Sequence, residues 1–183
     1  MGVPPDPGFH GWTGNAQGNS SPTTLHDIRK YTLWGNLMAG GDGVEYYFGY
    51  TAPENDLDLE DFRSRDKTWD YGRIALDFFR TNQIPFWEMK NEDDLVANPQ
   101  HENTRFCFAK PGELYLVYLP GGGSTNLDLS GVSAQFNVRW FDPRNGGAPR
   151  AGSVASVKGG SSVSLGMPPA EPGEDWLVVL RRN

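Results

Sequence analysis

From Arg105 onward the chain is a series of short apolar segments cut at regular intervals by turn residues, and this pattern limits the fold more than any other feature. The segments are Phe106–Ala109, Glu113–Leu119, Thr125–Leu129, Ala134–Phe141, Ser153–Val157, Ser161–Leu165 and Asp175–Leu180. Between them stand PG, PGGG, DPRNGG, KGG and PPAEPG. Gly and Pro hold backbone angles that regular elements avoid, so each cluster ends one segment and reverses the chain. Seven short strands within about 80 residues leave no room for crossover helices and point to an antiparallel β-sandwich. In the DPRNGG stretch, Asp142 is placed to hydrogen-bond its own turn backbone and close a hairpin. Period-two alternation puts Leu114, Leu116 and Tyr118 on one face of their strand and Tyr115 and Val117 on the other. Several of the rings in this half are therefore core.

The first half follows a different period. Residues 1–22 form an irregular loop dominated by Gly, Pro, Asn and Ser. Thr24 stands as an N-cap with Asp27 three positions on, and Leu25, Ile28, Tyr31, Trp34 and Met38 follow at helical spacing up to Gly40-Gly41. The aromatic run GVEYYFGY, Gly43 to Tyr50, reads as a mostly buried strand. A second helix is expected over Leu59 to Arg80, with Phe62, Trp69, Leu76 and Phe79 inward. Asn91 to Thr104, polar and acidic, reads as a linker between a unit of residues 1–92 and a unit of residues 93–183. One buried strand flanked by two helices lacks the neighbouring strands that it needs, so residues 1–92 look like the end of a larger α/β body. The crowded segment Ile84, Pro85, Phe86, Trp87, Met89 is expected to pack on the sandwich and clamp the halves together. The chain as a whole is mainly β.

Several function classes drop out. The net charge of −7 without any basic block argues against nucleic-acid binding. No run of 18 apolar residues exists to span a membrane. The single cysteine, Cys107, rules out a multi-thiolate metal site and sits between Phe106 and Phe108 as a packing residue. No cofactor motif is present, since the PGGG turn lacks the Gly-Lys-Ser/Thr ending of a phosphate loop. MGVPPDPGFHG has neither the basic nor the apolar region of a signal peptide.

The run MAGGDGVEYYFGY (Met38 to Tyr50), with Arg29 and Trp34 before it, is similar to the C-terminal end of a family of secreted bacterial glycoside hydrolases with cellulase-like or apiosidase-like barrels. The similarity continues through TWDYGRIALDFF (Thr68 to Phe79), IPFWEM (Ile84 to Met89), GELYLVYLPGGG (Gly112 to Gly123), VRWFDPRNGG (Val138 to Gly147) and DWLVVL (Asp175 to Leu180). In that family a catalytic TIM barrel precedes a β-sandwich labelled "putative collagen-binding domain of a collagenase". The resemblance implies that residues 1–92 are the last βα units of such a barrel, with GVEYYFGY as the eighth strand. A TIM barrel needs about 250 residues, so the resemblance also implies that the main catalytic acids lie upstream and that this polypeptide is inactive alone. It further implies a secreted or periplasmic protein whose parent enzyme takes a polysaccharide or oligosaccharide. The missing barrel portion or another chain is then a possible partner.

Glycoside hydrolysis uses two carboxyl groups about 5–10 Å apart. Glu45 is the acid inside the expected barrel strand and thus the catalytic candidate, against a structural role accepting hydrogen bonds from Arg29 or a neighbouring strand. Tyr47, Tyr50 and Asp56 fall at the mouth side of that strand, although Asp56 also suits the start of the next helix. His10, Trp12, Asn15 and Gln17 offer a ring for stacking and amides for hydroxyls, the chemistry of a sugar subsite; the other reading is a loop with Trp12 packed on the barrel. For the sandwich, the alternatives are a buttress for the barrel and a carbohydrate- or collagen-binding module. An exposed row or groove of aromatics would favour the module, and rings buried against residues 59–92 the buttress.

Overall fold

The computed structural model describes residues 24–45 and 66–183, together with the backbone of 50–51 and 54–55. Among the described residues ten strands lie in the chain order β1 (Tyr50–Thr51), β2 (Glu54–Asn55), β3 (Lys90–Asn91), β4 (Phe106–Lys110), β5 (Leu114–Leu119), β6 (Asn126–Asp128), β7 (Gln135–Phe141), β8 (Ser156–Lys158), β9 (Ser162–Ser164) and β10 (Trp176–Arg182). Six make one antiparallel sheet in the order β3-β4-β5-β10-β7-β8, and β6 with β9 forms a second, two-stranded sheet against it. All seven expected segments from Phe106 onward contain a strand, and the sandwich is as the turn spacing requires.

The central strands β5 and β10 read as nearly unbroken apolar runs because both of their faces are covered. All six residues of β5 are buried. Leu114, Leu116 and Tyr118 join Phe106, Phe108, Phe141, Leu177 and Val179 in a core under the helices. Tyr115, Val117 and Leu119 join Phe136, Val138, Trp140, Trp176 and Val178 in a second core, closed by Leu127, Leu129 and Leu165 from the small sheet and its flanks. The molecule is thus three layers: helices, six-stranded sheet, two-stranded sheet. Cys107 is buried in the second core, where burial pushes its thiol well above the usual range, so it packs and does not react.

The first helix, α1, is built from an α-turn Leu25–Asp27, a π-helical stretch Ile28–Gly35 and an α-turn Asn36–Met38. Its start is the expected capping box: Thr24 Oγ1 accepts from Asp27 N at 3.2 Å, and Thr24 N donates to Asp27 Oδ2 at 2.9 Å. The π stretch replaces i→i+4 pairing with i→i+5 and shifts the inward stripe to Ile28, Arg29, Leu33, Trp34 and Met38. Tyr31, expected inward on a 3.6-residue period, is turned outward for that reason. Gly35 lies where Phe106 approaches: a Cβ there would meet the ring at 3.4 Å.

The second helix, α2, spans Asp66–Thr81 and buries Thr68, Tyr71, Ile74, Ala75 and Phe78 on the sheet. The inward stripe expected for it is wrong in phase. Trp69 and Leu76 are exposed, while Phe79 is half-buried at the edge of the helix-side core, because the face of Tyr71, Ile74, Ala75 and Phe78 meets the sheet. Phe62 and the expected first turns from Leu59 lie outside the described residues. The DPRNGG turn packs directly on this helix, with Gly146 at φ 72° closing on Ile74.

Two further expected segments are described in part. Gly43, Val44 and Glu45 have irregular backbone, and Tyr50 belongs to a two-residue antiparallel pair, Tyr50 opposite Asn55. Residues 46–49 lie outside the described residues. The stretch Asn91 to Thr104, expected as a polar linker, carries ordered backbone. Asn91 pairs in β3 with Phe108, and Asp93–Val96 form a 3-10 turn. Buried Asp93 accepts from Cys107 N at 2.7 Å, and Asn98 donates to Glu102 O and Arg105 O. Short polar side chains satisfy the backbone here and fold a polar stretch onto the sheet edge.

Candidate functional site

A charged group lies at the centre of the boundary between helices and sheet. Arg29 from the π stretch and Asp175, just before β10, are both fully buried. Arg29 Nε and Nη2 donate to Asp175 Oδ2 at 3.1 Å and Oδ1 at 2.7 Å, a two-bond fork. Tyr118 of β5 donates its hydroxyl to Asp175 Oδ2 at 3.1 Å, and Arg29 Nη1 donates to the Tyr71 hydroxyl of α2 at 3.0 Å. Four elements thus share one hydrogen-bonded cluster. Burial disfavours the guanidinium charge, but the Asp175 carboxylate outweighs it and holds the Arg29 pKa above its ordinary value. Burial, then the adjacent Asp175 charge, pushes the Tyr118 hydroxyl well above its usual range. Above the cluster, Trp34 sits among Phe78, Tyr118 and Phe141 with ring centroids 5.7–6.0 Å away.

Between the two helices and the 84–89 segment there is an apolar groove of about 530 Å³ that reaches down to Phe108 of the sheet. Leu33 and Leu37 of α1 and Ala75, Leu76 and Phe79 of α2 form its walls, and Val44, Met89 and Trp87 its ends. Around it, Trp69 is 48% exposed, Leu76 55% and Trp87 71%. The clamp expected from residues 84–89 is therefore half right. Ile84 is buried and Met89 packs on the helix-side core, but the 3-10 turn Phe86–Glu88 swings Phe86 and Trp87 outward. Their rings meet edge to face, 5.2 Å apart at 81°, and do not make a flat platform.

Of the expected site residues, Glu45 is exposed in irregular backbone next to the groove, and Arg29 turns to Asp175. Tyr50 has only its backbone described, in β1. His10, Trp12, Asn15, Gln17, Tyr47 and Asp56 lie outside the described residues. Among the described residues no three His, Cys, Asp or Glu side chains come together as a metal site would require, and no helix is long and apolar enough to cross a membrane. The Arg29–Asp175 pair was not readable from sequence, since its members stand 146 positions apart. The Asp142 turn was: Arg144 N donates to Asp142 Oδ1 at 2.9 Å.

Residues 92–181 match the protein family described as "Putative collagen-binding domain of a collagenase". Among solved structures, a glycoside hydrolase of family 5 from Bacteroides vulgatus ATCC 8482 is similar with a TM-score of 0.64 at 19% identity, over 89% of this chain and 37% of that one. A second, called a glycoside hydrolase, gives a TM-score of 0.60 at 16% identity, over 85% of this chain and 36% of its own. At these identities the likeness is one of fold, and the chain spans little more than a third of either structure. No curated protein matches the chain.

Proposed function

We propose that the chain is the C-terminal portion of a secreted glycoside hydrolase, in which residues 1–92 complete the catalytic barrel and residues 93–183 form a sandwich that braces it. The observation that carries this reading is the buried Arg29–Asp175 fork with Tyr71 and Tyr118. It ties the barrel-end helices to the sheet by charge-assisted hydrogen bonds, not by a flexible tether. The second apolar side of the helix pair supports the same reading. A helix that also exposes large apolar side chains, here Trp69 and Leu76, suits a place between two layers, with the sheet on one side and the body of the barrel on the other.

Hydrolysis in such an enzyme needs an acid and a second carboxylate across one sugar. On this reading the main pair stands on barrel strands upstream, and this polypeptide by itself supplies no complete site. A panel of nitrophenyl glycosides, with Glu45→Gln beside the parent chain, is expected to show no turnover above background. Activity lost in the variant would make Glu45 catalytic and overturn the reading. A binding module is the second reading, favoured by the exposure of Trp87 and Phe86. Retention on insoluble polysaccharide or on collagen, abolished in Trp87→Ala, would establish it.

A further inference from the structure

A second groove, of different chemistry, opens where α2 ends over the sheet. It holds about 450 Å³ and is lined by Asn82, Gln83, Asn137, Arg139 and Arg181, with Val179 and Pro149 as an apolar floor. Strand register explains the grouping. Arg139 lies opposite Val179, and Arg181 opposite Asn137. Val179 belongs to the helix-side core, so alternation puts all three polar residues on that face. Because α2 stops at Thr81, this end of the face is left uncovered. Arg181 Nη2 donates to Asn82 O at 2.8 Å, which fixes that guanidinium against the helix end. Arg139 Nη1 donates only to its neighbour's carbonyl, Val138 O, at 3.0 Å. Neither guanidinium meets a carboxylate among the described residues, in a chain of net charge −7.

Gln83 borders the same groove. It follows the helix at φ 50°, the left-handed conformation, with Ile84 N donating to Phe79 O at 3.0 Å. Glycine takes that position at least cost, yet here a long amide stands in it and faces the groove.

We propose that this groove binds an acidic oligosaccharide. Carboxylates of uronic-acid units would meet Arg139 and Arg181, and hydroxyls would meet the amides of Asn137 and Gln83. The planar guanidinium fork matches a carboxylate, and a mixed floor of Val179 and Pro149 suits the apolar face of a sugar ring. The carboxylate follows from the two guanidiniums; the choice of a sugar to carry it rests on the glycoside-hydrolase reading.

The test is calorimetric titration of the full chain with tetragalacturonate, with cellotetraose and with a short polyglutamate. The uronate is expected to bind saturably, and the neutral tetramer and polyglutamate at least about tenfold more weakly. Arg139→Ala should lose about tenfold in affinity, the worth of one charge-assisted pair. Gln83→Gly should weaken binding while raising the melting temperature, whereas a merely structural role would move both the same way. Absent saturable uronate binding, equal binding of polyglutamate, or full affinity in Arg139→Ala would each overturn the proposal. The bracing role stands or falls on Arg29 and Asp175, which share no residue with this groove, so the two can fail separately.

Discussion

At the scale of single residues the Arg29–Asp175 fork dominates. A buried ion pair is not in itself a large source of stability, because desolvation offsets most of the attraction, but loss of one partner leaves an unpaired buried charge. Asp175→Asn and Arg29→Met are each expected to destabilise the chain by about 3–5 kcal/mol in urea unfolding. The paired change Arg29→Met with Asp175→Leu should recover much of that loss, because it leaves no charge behind. Tyr118 gives the same cluster a pH signature. Its raised folded-state pKa leaves its contribution intact below the unfolded value of about 10 and removes it as pH rises beyond. Melts between pH 8 and 11 should therefore show an alkaline decline that is smaller in Tyr118→Phe; equal declines would contradict this. Trp87 lies at the other extreme. At 71% exposure, Trp87→Ala is expected to leave the melting temperature within a degree or so, whereas a core tryptophan would cost 3–5 kcal/mol.

At the scale of elements, α2 shows what was legible and what was not. Its amphipathic sequence announces a helix, yet of the inward stripe expected from Trp69, Leu76 and Phe79 only Phe79 packs on the core, and the other two are exposed. The helix carries two apolar sides, and sequence periodicity cannot say which of two meets a sheet formed 40 residues later. Phe78→Ala should therefore destabilise by about 3–5 kcal/mol, while Leu76→Lys should leave the melting curve unchanged. The reverse order would restore the first stripe. The strands were readable because Gly and Pro punctuate them, and the two faces of β5 followed from alternation alone. The π stretch in α1 was not readable. Its wider turn answers to a tertiary demand, since Arg29 is fully buried and reaches Asp175 on the far side of the sequence. The segment after Asn91 misled for the opposite reason. Asp93 and Asn98 look like loop residues, and they fold the loop by serving its backbone.

For the whole molecule, helices and sandwich are expected to form a single cooperative body. The helix-side core draws Leu33, Trp34 and Met38 from α1, Tyr71, Ile74 and Phe78 from α2, and Phe106, Leu116 and Phe141 from the sheet. A chain joined in this way cannot lose its helices and keep its sheet intact. Differential scanning calorimetry of the chain and of Asp175→Asn tests this most directly. One transition, with calorimetric and van't Hoff enthalpies equal, moved as a whole to lower temperature in the variant, is the predicted result. Two separable transitions, of which Asp175→Asn shifts only one, would contradict it.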